Sequence, residues 1–408
     1  MIRYHASWVL PISGPPIRDG WLAVDRGRIA AYGAYGGVVR RGPTDGASVV
    51  DLGHVAVLPG LVNAHTHLEL SYLKDEIPPA SEFVTWVRAV MAARRQRSDP
   101  RSTEIVQSID RAIGECLASG TAVVGDISNT LVTFEPLTRS PLAGVVFYEL
   151  IRFNAPDPEG FVEAARREIE ALGASDRMRA SLAAHAPYSV APLVFRAVRK
   201  AIDRELFLPC SVHLAESTEE VEFVRTGQGA WRRLLEDVGA WDPTWVAPGG
   251  SPVQFLDDCG FLDARVLTVH GVQMTSTDLR RIADRRATVV TCPRSNGHTG
   301  AGAPPITEFY EADVRVAIGT DSLASAPDLN VFSELATMRA LAPTVPANTL
   351  LESATIQGAR ALGFDADYGT LDPGKLARFI AVDIPGPMDD VEEYLVSGIQ
   401  PEQVRWIE

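Results

Sequence analysis

From Val57 onward the chain alternates between short apolar runs and stretches with helical spacing. Eight such runs can be read: VLPGLVNAH, TAVVGDIS, GVVFYELI, MRASLAAH, LPCSVHLAE, RVLTVHGV, ATVVTCPRS and VRVAIGTDS. Runs that are apolar on both faces suit strands of a parallel sheet covered by helices. Eight alternating βα units predict an α/β fold, a (β/α)8 TIM-type barrel, over residues 57–365. Helices are expected over EIVQSIDRAIGECLAS, GFVEAARREIEALG, PLVFRAVRKAIDRE, STDLRRIADRR and NVFSELATMRAL, and one further helix, NTLLESATIQGARALG, closes the barrel segment.

The two ends follow a different grammar. WLAVDRGRIAAYG and ASVVDLGHVAVLP read as strands with turns between them, and YGTLDPGKLARFIAVDI returns to the same pattern after the last helix. Residues 1–56 and 366–408 are therefore expected to form one small composite β-sandwich, each burying what the other cannot bury alone. The stretch from Trp231 to Leu262 is too long for a plain βα connection and is expected to be a lid or a subunit contact.

With 38 Lys and Arg against 52 Asp and Glu, the 408-residue chain carries a net charge of −14. That excludes the electrostatic footprint of nucleic-acid or anionic-membrane binding. Four well-separated cysteines without a CxxC pair point to a reducing compartment. No signal peptide or long apolar span is evident, so a cytoplasmic protein with a small-molecule substrate is expected, with a homodimer as the commonest assembly.

The histidines show where chemistry would sit. His65 and His67 end the first strand, two apart and therefore on one side; His185 ends the fourth, His213 the fifth, His270 the sixth and Asp321 the eighth. A single strand-end histidine is ordinarily structural. Several metal-compatible residues gathered at the end where such barrels build their sites are not an ordinary packing pattern. His65, His67, His213 and Asp321 suit one divalent ion with mixed His/carboxylate coordination. Glu216, three residues past His213, is placed to carry protons; its alternative role is a first-turn glutamate favoured by the helix dipole. His270 is either a further ligand or, preferably, a neighbour that orients bound water. A cytidine-deaminase signature is rejected: His67-Leu68-Glu69 gives H-x-E, but Pro209-Cys210 is followed by His213 where the second cysteine belongs.

PGLVNAHTHLELS, HAPYS, HLAES, HGV, CPRSN, GTDSLAS and GTLDPGKLARFIAVD together resemble the amidohydrolase superfamily, in its mononuclear deaminase and chlorohydrolase branch. The resemblance implies a distorted barrel with a composite β-sandwich, one Zn2+ or Fe2+ with zinc foremost, and hydrolysis at an aminated or halogenated ring carbon. It implies His65, His67, His213 and Asp321 as ligands, Glu216 as general acid and His270 as the residue assisting water. Binuclear relatives place a carboxylated lysine where this chain has His185, so a mononuclear site is implied, with His185 against substrate.

HLELS more nearly resembles aminodeoxyfutalosine deaminases, which brings Glu69 and Ser71 toward the mouth. S-adenosylhomocysteine deaminases often carry an acidic residue before the tryptophan of the first helix; Thr85 precedes Trp86 here. Phe83 and Trp86 are candidates to stack on a planar ring or to pack in the core. Ser295 and Asn296 are expected to position substrate, and His298 is a loop residue that can reach it. Trp231, Trp241 and Trp245 are expected in a packed lid or dimer contact. The expected reaction is deamination of an aminated heterocycle, foremost an aminopurine nucleoside such as aminodeoxyfutalosine or an adenosine derivative. The rivals are dechlorination or cyclic amide hydrolysis on the same scaffold, and a binding protein without catalysis.

Overall fold

The computed structural model describes residues 1–407 apart from 36–47, 174, 176, 206 and 207, so Ala47 of the second terminal run lies outside the described residues. The terminal strands are β1 (Ile2–Val9), β2 (Ile17–Asp25), β3 (Arg28–Ala34), β4 (Ser48–Asp51) and β5 (Val55–Pro59). The eight apolar runs give β6 (Leu61–Thr66), β7 (Thr121–Ser128), β8 (Ala143–Leu150), β9 (Met178–Ala184), β10 (Cys210–Leu214), β11 (Val266–His270), β12 (Thr288–Thr291) and β13 (Arg315–Ile318). After them come β14 (Phe379–Asp383) and β15 (Val404–Trp406).

Strands β6 to β13 lie in sequential order in one eight-stranded sheet, and their pairings are parallel. Strands β6, β7, β10, β11 and β12 are buried along their whole length, because helices cover one face and opposing strands the other. Between the last strand and the first, one parallel bridge among the described residues, Thr66 to Asp321, is joined by Asn63 Nδ2 donating to Thr320 Oγ1 at 2.7 Å. The backbone N–H groups of Thr320 and Asp321 both donate to the His65 carbonyl, at 3.0 and 3.1 Å. The barrel is thus drawn shut at the two segments that carry candidate ligands.

Both termini build a second, mixed seven-stranded sheet in the order β15-β14-β5-β1-β2-β3, with β4 against β1. The period-two alternation divides β5 and β14 between two cores. Val55, Val57, Phe379 and Ala381 pack with Tyr4, Leu22 and Ile29, whereas Ala56, Leu58, Ile380 and Val382 face the barrel helices. The first predicted run, VLPGLVNAH, is therefore two strands in two sheets, and the change falls at Gly60 rather than between residues 56 and 57. A side chain at Gly60 would lie 2.6 Å from the Ala122 methyl and 2.8 Å from the Trp406 ring. That close approach is where the terminal sheet seats on the barrel.

The expected closing helix is also two: Ala347–Ser353 and Ile356–Leu362. The Ala354 carbonyl accepts from Val62 N–H of β6 at 2.8 Å instead of continuing a helical ladder, and Thr355 Oγ1 donates back to the Leu351 carbonyl at 2.6 Å. Within 231–262, helices Ala230–Asp237 and Pro252–Asp258 flank an irregular stretch. Trp241 and Trp245 there stack on Phe153 and Phe223, with centroids 5.6 and 4.9 Å apart. This segment is a packed wall beside the barrel mouth. The four cysteines are buried free thiols, and no described helix is long and apolar enough to cross a membrane.

Candidate metal and catalytic centre

The strand-end residues converge as the alternation requires. His67 Nε2 and His213 Nε2 are 3.3 Å apart, and Asp321 Oδ1 lies 3.5 Å from His67 Nε2 and 3.7 Å from His65 Nε2. The ligand atoms of His65, His67 and His213 fall within 4.8 Å of one another. His213 Nδ1 sits 3.1 Å from the His185 carbonyl, which fixes the proton there and leaves Nε2 as a lone pair. Burial, reinforced by neighbouring histidines, lowers His67 to about 4 and holds His213 well below the ordinary range, so these rings are neutral near pH 7. Burial works against the Asp321 carboxylate, but the histidines, His65 first, outweigh it and hold its pKa well below the usual value.

This set fits a metal on its own terms. Both ring nitrogens of His65 are buried without a partner, which costs about 1–3 kcal/mol for each such group. His67 Nε2 faces the His213 Nε2 lone pair at 3.3 Å. One cation would give three imidazole nitrogens, one of them on His65, and a carboxylate oxygen a common partner, and that donor set belongs to mixed-ligand divalent sites.

Three residues here hold left-handed backbone that only glycine adopts freely: Ala215 (φ 52°), His270 (φ 77°) and Asp321 (φ 59°). His270 ends β11, Ala215 follows the end of β10 and Asp321 lies just past β13, so all three stand where strands give way to the loops of the site. Asn296 Nδ2 donates to His270 Nδ1 at 3.0 Å, so the proton of the neutral ring sits on Nε2, 3.5 Å from Glu216 Oε1. Burial lowers His270 to about 3. Burial, with the negative charge of Asp321 next, raises Glu216 well above the ordinary carboxyl value. Glu216 is thereby held as a neutral acid beside a neutral imidazole.

These groups open into a cavity of about 990 Å³ at the barrel mouth. His67, His185, His213, Glu216, His270 and Asp321 all line it. So do Phe83 and Trp86, whose rings stack at 6.1 Å, and Trp231, which lies flat on Tyr188 at 3.6 Å and 11°. Trp231 is therefore a cavity wall, unlike Trp241 and Trp245 behind it. Thr85 is exposed and outside the lining.

Other expected substrate contacts face inward. Glu69 is buried on the 3-10 turn Leu68–Leu73, and its Oε2 accepts from Ser128 Oγ (2.6 Å), Asn129 N (3.0 Å), Thr130 N (3.2 Å) and Thr130 Oγ1 (2.9 Å). It holds the loop after β7 and is absent from the lining, as is Ser71. Ser295 and Asn296 stand in the first turn of helix Pro293–Thr299, wholly buried, on Asp321 and His270. Arg294 ties that helix to the buried Glu334 at 2.7 Å. His298 lies on the same helix rather than in a loop, with Nε2 3.0 Å from the Ile77 carbonyl.

The amidohydrolase family profile matches residues 56–401. This chain belongs to the amidohydrolase family. The amidohydrolase is 31% identical over 412 residues to the 5-methylthioadenosine/S-adenosylhomocysteine deaminase of Moorella thermoacetica, spanning 95% of this chain and 88% of that one. Its fold superposes on Helicobacter pylori aminofutalosine deaminase, solved with methylthio-coformycin, at a TM-score of 0.84 and 25% identity, covering 100% of this chain and 98% of that one. A zinc-bound adenosine deaminase from Xanthomonas campestris gives a TM-score of 0.81 at 27% identity, covering 99% and 90% of the two chains.

Within this amidohydrolase, Glu149, Asn129, Arg94 and Tyr188 line the cavity and were not singled out from sequence. Glu149 had a signal, being a buried acid near the end of β8; its Oε2 accepts from Asn129 Nδ2 at 2.7 Å, and its Oε1 is 3.4 Å from His213 Nδ1. Tyr188 stood in HAPYS, but its stacking on Trp231 joins distant segments.

Proposed function

We propose that this amidohydrolase is a metal-dependent hydrolytic deaminase that releases ammonia from adenosine derivatives with a bulky 5′ substituent, the aminodeoxyfutalosine and thioether-adenosine classes foremost. One observation carries the reading: a three-histidine, one-carboxylate set beside the neutral acid Glu216, open to a cavity of about 990 Å³. Ligand pockets run to about 300–1,000 Å³, so this one is at the upper end and has room beyond a nucleoside. Ile151 and Val238, both partly solvent-exposed, sit in the lining with Leu234 and Leu235, giving an apolar seat for a substituent. The relatives named for substituted adenosines support the class.

His65, His67, His213 and Asp321 would hold the ion, with zinc favoured by the nitrogen-rich set. When bound, such an ion makes water nucleophilic near neutral pH. Glu216 then gives its proton to the ring nitrogen next to the attacked carbon, which keeps negative charge off the purine. Asp321 takes up the water's proton and returns it to the departing amine, the remaining hydroxyl proton goes back to Glu216, and His270 orients the water by donating its Nε2–H. Trp86 and the Tyr188–Trp231 pair would flank the flat ring, and His185, in the lining beside His213, would meet the substrate too.

The test is ammonia release by metal-replete protein on adenosine, methylthioadenosine, S-adenosylhomocysteine and aminodeoxyfutalosine, with a chelated control. Chelator-sensitive turnover that favours a substituted nucleoside is the expected result. Silence on all four with metal bound, or full activity of Asp321→Asn, overturns the proposal.

A further inference from the structure

Glu220 is fully buried in helix Thr218–Thr226, and among the described residues no cationic side chain pairs with its carboxylate. Both of its oxygens are used on backbone. Oε1 accepts the N–H of Ala215 at 2.9 Å, and Oε2 accepts the N–H of Glu216 at 2.8 Å. In return the Ser217 hydroxyl caps the helix by accepting the N–H of Glu220, at 3.3 Å. The sequence S-T-E-E has the form of a capping box, whose glutamate ordinarily reaches back to the capping residue's own N–H. Here it reaches one and two residues further, onto the turn that carries Glu216.

That turn needs holding. Ala215 sits at φ 52°, a conformation costing an ordinary residue about 1–3 kcal/mol. Its carbonyl accepts from Gln273 N–H at 2.7 Å, and the Leu214 carbonyl accepts from Gly271 N–H at 3.1 Å, so the same turn is tied to the one that presents His270. A carboxylate without a cation is a costly thing to bury, and an apolar side chain would pack there without that cost. What only a carboxylate supplies at this place is two acceptors for two adjacent N–H groups.

We infer that Glu220 is the positioning residue for Glu216: its two oxygens clamp the Ala215 and Glu216 amides and so aim the Glu216 carboxyl at His270 and the cavity. This rests on the reading of Glu216 as the proton donor. Glutamine in place of Glu220 keeps one acceptor but turns an NH2 toward the other amide, which opens the clamp at nearly constant volume.

The experiment compares the metal-loaded full chain with Glu220→Gln, Glu216→Gln and the double variant, measuring kcat, KM, bound metal and thermal midpoint. Glu220→Gln is expected to lower kcat about tenfold to a hundredfold with KM and metal content nearly unchanged, since it degrades a proton transfer and not binding. The double variant is expected to be no slower than Glu216→Gln alone, because Glu220 acts only through Glu216. Wild-type kcat in Glu220→Gln, or a double variant slowed by the product of the single effects, overturns the inference alone. Full activity of Glu216→Gln overturns it together with the reading of Glu216. Should Glu220→Gln not fold, hydrogen exchange on the wild-type protein decides: slow exchange of the Ala215 and Glu216 amides supports the clamp, and exchange at loop rates overturns it.

Discussion

Ser295 Oγ donates to Asp321 Oδ2 at 2.5 Å, while Oδ1 of the same carboxylate faces His65 and His67. The two oxygens differ in their surroundings: one is anchored, and the other faces the candidate ligand histidines. Ser325 Oγ approaches the anchored oxygen at 3.3 Å, so the anchor is itself backed. Ser295→Ala should let the carboxylate rotate and weaken metal binding about tenfold to a hundredfold, the usual cost of losing a partner behind a ligand. Competition against a chromophoric chelator measures this directly, and unchanged affinity would show that the anchor is dispensable.

Asp126 governs a different property, stability against pH. It is fully buried on β7, and its Oδ1 accepts the Leu68 N–H at 2.8 Å just past His67. Burial pushes its pKa from 3.8 up to about 7. The folded state therefore holds this proton more tightly than the unfolded chain. The resulting stabilisation is complete below the unfolded value and is lost as pH rises through about 7. Asp126→Asn keeps the acceptor and removes the titration. Relative to wild type it should be more stable at pH 8 than at pH 5, by urea unfolding of metal-loaded protein; an equal difference at both values would mean Asp126 is already ionised in the fold.

The convergence of the candidate ligands was legible because two simple periodicities fix it. Strand alternation puts His65 and His67 on one side, and the βα rhythm puts His213, His270 and Asp321 at the same end. Glu69 lies away from the cavity lining for a local reason: β6 ends at Thr66, and on the 3-10 turn that follows the Glu69 side chain reaches the loop after β7. Ser295 and Asn296 were recognised, but their roles depend on which strand ends they meet, and spacing along one segment does not encode that. The break at Thr355 was hidden as well, since the competing partner of the Ala354 carbonyl, Val62, lies almost the whole barrel away in sequence.

The stacked pair Tyr188 and Trp231 should set selectivity more than rate. An aromatic pair of this kind contributes about 0.5–1.5 kcal/mol beyond the area it buries, and Trp231 also meets Phe83 at 6.0 Å. Trp231→Leu removes the flat wall while keeping an apolar side chain. KM for a 5′-substituted adenosine should rise about threefold to tenfold with kcat little altered, the signature of lost uniform binding. Steady-state kinetics on substituted and unsubstituted nucleosides distinguishes this from a catalytic role, which would lower kcat on both.

Gly319 tests the seam of the barrel. A Cβ there would stand 2.7 Å from both Cβ and the carbonyl oxygen of His65, and 2.9 Å from Cys292 Sγ. The carbonyl in the way is the one that receives the Thr320 and Asp321 N–H groups, so it cannot retreat without opening the bridge between β13 and β6. Gly319→Ala should cost about 1–3 kcal/mol of stability through overpacking. It should also move Asp321 away from His65, so that metal affinity falls with stability. Gly114→Ala is the matched control: it lies within helix Thr103–Ala118 with nothing near its added Cβ, and should gain about 0.5–1 kcal/mol. If Gly319→Ala loses stability yet binds metal as tightly as wild type, the seam and the ligand geometry are independent, and the bridge closes the barrel without shaping its site.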